Sequence, residues 1–116
     1  MPAFKVIRSS DVEQITQTGF VPGQPADEGC PFIHACQLDM VSSIISKFYE
    51  NEPHTTIELD IEEAIMEGFI VKYESNRLNG PMYWHFYRPS SEQTKLLSKT
   101  CIKSIWSHDE TPVLTR

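Results

Sequence analysis

Phe69-Ile70-Val71-Lys72-Tyr73-Glu74, a turn over Asn76 to Pro81, then Met82-Tyr83-Trp84-His85-Phe86-Tyr87-Arg88 is the stretch that decides the fold. Its first run alternates: Phe69, Val71 and Tyr73 on one face, Ile70, Lys72 and Glu74 on the other. The second does the same, with Tyr83, His85 and Tyr87 opposite Trp84 and Phe86. A period of two is the mark of a β-strand, so the pair reads as two strands around a turn.

Upstream, Thr55 to Asp60 alternates in the same way, with Ile57 and Leu59 facing one side, and predicts a half-buried strand. Thr100 to Ser107 predicts a last strand, ahead of a polar tail from Asp109 to Arg116. Ile61 to Gly68 and Ser90 to Leu97 have room for helical turns. The first half reads differently. Phe4 to Arg8 is short and β-prone. Ser10 with Glu13 three residues on is a capping-box pattern for a helix over Asp11–Thr18, carrying Val12 and Ile15 and ending at Gly19. Phe20 to Pro31 is a loop punctuated by Pro and Gly, and Phe32 to Cys36 is a brief strand. Leu38, Val41, Ile44, Ile45, Phe48 and Tyr49 recur at helical spacing, predicting a helix over Leu38–Tyr49 that packs on the sheet face bearing Ile57 and Leu59. The sum is one α+β domain spanning residues 1–116, with a mixed or largely antiparallel sheet and two main helices.

The chain has 116 residues, enough for one core. Ten Lys and Arg against 16 Asp and Glu give a net charge of −6. That balance points away from nucleic acid and from anionic membrane surfaces as partners. No apolar run has the length of a membrane span, and the N-terminus lacks a signal-peptide core. Cys30, Cys36 and Cys101 are odd in number and lack a secretory signal, which fits reduced thiols in a cytoplasmic protein.

No phosphate-binding glycine loop, HExxH or GxSxG is present. Three segments place chemically able residues among apolar ones. Glu28 to Cys36 holds Cys30, His34 and Cys36, whose spacing matches no standard zinc hook, so no metal site is expected. A Cys36–His34 or Cys36–His85 nucleophile pair is open to the same residues. Glu74 ends its strand where a carboxylate either caps a turn or faces a cleft as a proton acceptor. Tyr83, His85 and Tyr87 form either one wall of a core or a stacking wall for a planar ligand.

In order and spacing these segments resemble domain-of-unknown-function family 952. The likeness runs over about residues 4 to 107: the Phe4–Arg8 strand, Glu28-Gly29 with Phe32-Ile33-His34, Lys72-Tyr73-Glu74, and Tyr83 to Pro89. Cys36 stands where that family usually has a small hydroxyl residue, Trp84 where it has Pro, and Arg88 where it has Gly. The family is similar in suspected fold to the ADP-ribosyltransferase group, whose split sheet holds NAD in a cleft. The resemblance implies a nucleotide-like ligand, with NAD as a substrate and no certain cofactor. It places Arg8, His34, Cys36, Tyr83 and Tyr87 as ligand-binding residues and Glu74 and His85 as catalytic ones, with Arg8 at the rim meeting an anionic group. If the protein is an enzyme, the implied reaction is glycosyl transfer from NAD. The other reading is a non-catalytic binding or protein-interaction module.

Overall fold

A computed structural model of the protein describes residues 2–106; the tail expected at 109–116 lies outside the described residues. Six strands and three α-helices follow in the order β1 (Ala3–Arg8), α1 (Val12–Thr18), β2 (Phe32–Ala35), α2 (Val41–Phe48), β3 (His54–Leu59), α3 (Ile61–Met66), β4 (Ile70–Ser75), β5 (Met82–Tyr87) and β6 (Ile102–Trp106). The strands form two three-stranded sheets, β1-β3-β6 and β2-β5-β4, and every ladder is antiparallel.

Among the described residues, one backbone bridge joins the edges of the two sheets. Phe4 and Cys36 exchange backbone hydrogen bonds of 2.7 and 2.8 Å. Beyond that bridge β1 and β2 diverge, and the Lys5 side chain enters the gap. Its Nζ donates to the His34 carbonyl at 2.7 Å, where a continuous ladder would have used a backbone amide. The split is thus bridged by a side chain.

The two faces of β1 serve different cores. Ala3 and Ile7 join Ile57, Leu59, Phe69, Phe86, Leu97 and Cys101 in the larger one, which also takes the inner face of β2-β5-β4. Phe4 and Val6 point the other way and pack with Cys36, Val41 and Tyr49. Helix α2 therefore covers the Phe4/Val6 face and not the Ile57/Leu59 face that its sequence was expected to cover. The reason is the parity of β1 and β3. Ile57 lies across from Lys5 and Leu59 from Ala3, so both share the side of Ile7, already filled by the second sheet. The helix is also shorter than its apolar spacing suggests, because Leu38–Met40 form a 3-10 turn ahead of Val41. Along its stripe Val41 and, just past the helix end, Tyr49 are buried; Ile44, Ile45 and Phe48 are half-buried.

Other expectations shift in detail. β3 is a central strand, so Thr55 and Thr56 are both buried along with Ile57, and it is not half-buried. The chain enters α1 through a 3-10 turn over Ser9–Asp11, and no side-chain cap forms; Asp11 turns its carboxylate to Arg8 and Gln24. Gly19 ends α1 with φ of 82°, the left-handed conformation that glycine adopts without strain. Asp60 caps α3, its Oδ1 accepting from the Glu63 amide at 3.1 Å. The Ser90–Leu97 segment makes only isolated turns closed by Glu92 to Pro89 and Lys95 to Glu92 hydrogen bonds.

Candidate functional site

Period-two alternation places Phe32 and His34 of β2, Tyr83, His85 and Tyr87 of β5, and Lys72 and Glu74 of β4 on one face of the second sheet. The ladders confirm the register: His34 lies across from His85, Lys72 from His85 on the other side, and Glu74 from Tyr83. The opposite face, with Ile33, Ala35 and Phe86, belongs to the core. The aromatic strand is thus core on one side and a ring-lined surface on the other.

Two polar clusters sit on this side. In the first, Glu74 Oε2 takes a hydrogen bond from the Tyr87 hydroxyl and lies 2.8 Å from His85 Nδ1. The Tyr87 bond, then the His85 bond, hold the Glu74 carboxyl below the usual glutamate range, and the same contact raises the Tyr87 hydroxyl. Because Glu74 is an ionised acceptor, His85 Nδ1 carries the proton. His85 is 1% exposed, its ring stacked on Phe32 with centroids 3.9 Å apart, and its Nε2 has no hydrogen-bond partner among the described residues.

The second cluster centres on Asp27. Its Oδ2 accepts from Lys5 Nζ at 2.8 Å and from the Gln24 amide at 3.2 Å. Its Oδ1 accepts from the His34 amide at 2.8 Å and lies 3.3 Å from His34 Nδ1. Burial works against the charged form, but the Lys5 charge and the His34 hydrogen bonds prevail and hold the carboxyl far below its ordinary range. Gln24 extends the network: its Oε1 accepts from the Arg8 amide at 2.9 Å and from the Tyr49 hydroxyl at 3.0 Å.

Beside this second cluster, in the split between the sheets, is a cavity of about 390 Å³. β1 and β2 form one wall and α2 another, with Phe32, Phe48, Tyr49 and Tyr83 supplying rings and Lys5, His34 and Lys47 supplying polar atoms. Of the residues picked from sequence, His34, Cys36 and Tyr83 line it. Glu74, His85 and Tyr87 lie next to it on the same sheet face, linked through the His34–His85 contact and the Glu74–Tyr83 register pair. Arg8 is not in the lining: its Nε donates to Asp11 at 3.0 Å and its guanidinium also reaches the Gly23 carbonyl. Burial pushes the Cys36 thiol up to about 12, so it is no ready nucleophile. Cys30, Cys36 and Cys101 are unpaired, and among the described residues no three of His, Cys, Asp and Glu come together as metal ligands.

Sequence reading missed Asp27, Lys5, Gln24 and Lys47. Lys5 had a signal: a single cation inside an apolar strand must find a buried partner. Asp27 lies in an aperiodic Pro/Gly-rich loop and had none.

Residues 6–95 match the family model described as protein of unknown function, DUF952. The chain belongs to this family. Its fold resembles the crystal structure of protein CC0527 from Caulobacter crescentus, with a TM-score of 0.72, 18% sequence identity, and 98% of this chain and 95% of that one covered. A double mutant of the same bacterial protein matches with the same figures. At that identity the likeness speaks to the fold. Among curated proteins, none matches the chain. No helix among the described residues is long and apolar enough to cross a membrane.

Proposed function

We propose that the split between the sheets is a binding site for a small nucleotide-like ligand, with NAD or a part of it the leading candidate. The observation that supports it is the cavity itself. Its volume falls in the range typical of small-ligand pockets, and its walls pair aromatic faces with a few polar groups, the composition such sites use. A base or nicotinamide ring has Phe32, Tyr49 and Tyr83 to stack on, and His34 offers an imidazole edge. Glu74, an ionised carboxylate across the ladder from the lining residue Tyr83, would stabilise positive charge on a ribose if glycosyl transfer from NAD occurs. His85 holds that carboxylate from a buried position.

Thermal unfolding in the presence of NAD, ADP-ribose and nicotinamide mononucleotide tests the reading. A ligand at a hundredfold excess over its Kd adds about 2.7 kcal/mol to stability, a readily measured shift. At least one of the three should raise Tm, and Tyr83→Ala should abolish the rise. Absence of a shift with all three at millimolar concentration overturns the proposal. Release of nicotinamide from NAD, lost in Glu74→Gln, separates an enzyme from a binding module.

A further inference from the structure

The cavity's charge runs against the chain's. The protein has 16 Asp and Glu to 10 Lys and Arg, yet among the described residues Lys5 and Lys47 line the cavity and no carboxylate does. The two lysines differ in what they have left to offer. Lys5 is 5% exposed and spends its Nζ on the His34 carbonyl and on Asp27, so its charge is balanced in place. An anion pressed against Lys5 would also meet the Asp27 carboxylate, a repulsion made stronger by burial. Lys47, at the C-terminal turn of α2, is exposed and makes no ion pair among the described residues. Its Nζ lies 5.3 Å from the centroid of the Phe48 ring, and Phe48 lines the cavity. The surplus positive charge is therefore on the solvent side of the cavity, and the buried side is aromatic and charge-balanced.

From this asymmetry we infer the ligand's orientation and class, resting on the small-ligand reading above: a phosphomonoester of a ring-bearing nucleoside, seated ring-inward among Phe32, Tyr49 and Tyr83 with its phosphate outward on Lys47. Lys47, not Arg8, reads the anion. A dianionic phosphate gains from an ammonium that has no ion-pair partner among the described residues and sits over an aromatic neighbour at the cavity, and an uncharged nucleoside gains nothing there.

Matched pairs test this: nicotinamide mononucleotide against its riboside, and AMP against adenosine, titrated by calorimetry into the full chain and into Lys47→Gln. For at least one pair the monophosphate should bind about threefold to tenfold more tightly than the nucleoside at low salt. Lys47→Gln should erase that advantage and leave nucleoside affinity unchanged, as should about 1 M salt, where the screening length falls to about 3 Å. Because Lys47 is exposed, its variant should keep the parent's Tm, which is measured alongside. Equal affinity for both members of each pair in the parent, or an advantage that survives Lys47→Gln, overturns the orientation while leaving the pocket standing. No binding by any of the four overturns this inference, and the Tm shifts with NAD and ADP-ribose then decide separately whether the pocket reading stands.

Discussion

His34 and His85 lie directly opposite each other across the β2–β5 ladder, and their rings meet edge to face with centroids 5.2 Å apart. Each imidazole is held by its own carboxylate, His34 by Asp27 and His85 by Glu74. The contact joins two polar clusters into one run, from Lys5 through Asp27, His34 and His85 to Glu74 and Tyr87. One end of it borders the cavity, and at the other Glu74 keeps about a third of its side chain exposed. On the function proposed above, chemistry on a bound ligand would fall to Glu74, with His85 as its positioning residue.

The Lys5–Asp27 pair should behave as a buried ion pair. Both residues are 5% exposed, so removing one partner strands the other charge away from water. Lys5→Met should cost about 3–5 kcal/mol of unfolding free energy, measured in urea. The Lys5→Met/Asp27→Leu double variant should cost much less than the sum of the singles. Additive losses would show that the two side chains do not act as a pair.

Acid should reveal the same carboxylate. Asp27 stays ionised in the folded protein well below the pH, about 4, at which an unfolded aspartate titrates. Its folded pKa is depressed, so its contribution is complete above about pH 4 and is lost as the pH falls toward the folded value. The stability gap between parent and Asp27→Asn should be constant from pH 5 to 7 by urea denaturation, at about 3 kcal/mol, and should narrow below about pH 4. A gap that widens on acidification would reverse the assigned sign.

The thiols should separate by burial. Cys36 and Cys101 are buried, and burial raises both thiols to about 12, whereas Cys30 is partly exposed. Since the thiolate is the reactive form, a disulfide reagent at pH 8 should label one cysteine quickly, and Cys30→Ser should remove that phase. Cys36 and Cys101 should react only on unfolding. Fast labelling of Cys36 would mean that the cavity wall opens.

Strand and helix identities were legible because their signals are local. β4 and β5 alternate without interruption, and Gly19 marks a helix end by its own backbone freedom. Alternation put His85 and Tyr87 on one face of β5, but that Glu74 of β4 shares that face depends on the register of the two strands. Which sheet face α2 covers was not legible, because that depends on the register of β1 against β3, and the apolar stripe of a helix does not name its partner. That Arg8 lies outside the cavity lining has a related reason. Arg8 ends a strand as expected, but Asp11, three residues on, takes its guanidinium through a turn that the capping pattern of Ser10 and Glu13 did not reveal. Asp27 and Gln24 act through contacts between segments far apart in sequence, so no local pattern exposes them.

The last prediction concerns Glu74. Its side chain is about a third exposed, and burial contributes little to its titration. What lowers its pKa is hydrogen bonding to the charged form, first from the Tyr87 hydroxyl and then from His85 Nδ1. Removing a donor should therefore move the carboxyl upward, since each bond favours the ionised state. By carboxyl-detected NMR, Glu74 should titrate below the ordinary glutamate value of about 4.3 in the parent and rise toward it in Tyr87→Phe. Lys72 is the control. It lies over the Tyr87 ring, with Nζ 5.3 Å from the centroid, and its charge acts on Glu74 only weakly. Lys72→Met should thus shift the midpoint less than Tyr87→Phe does. If the order is reversed, charge and not hydrogen bonding sets the carboxylate, and Glu74 would then respond strongly to salt. If neither variant moves it, the Tyr87–Glu74 contact is absent in solution.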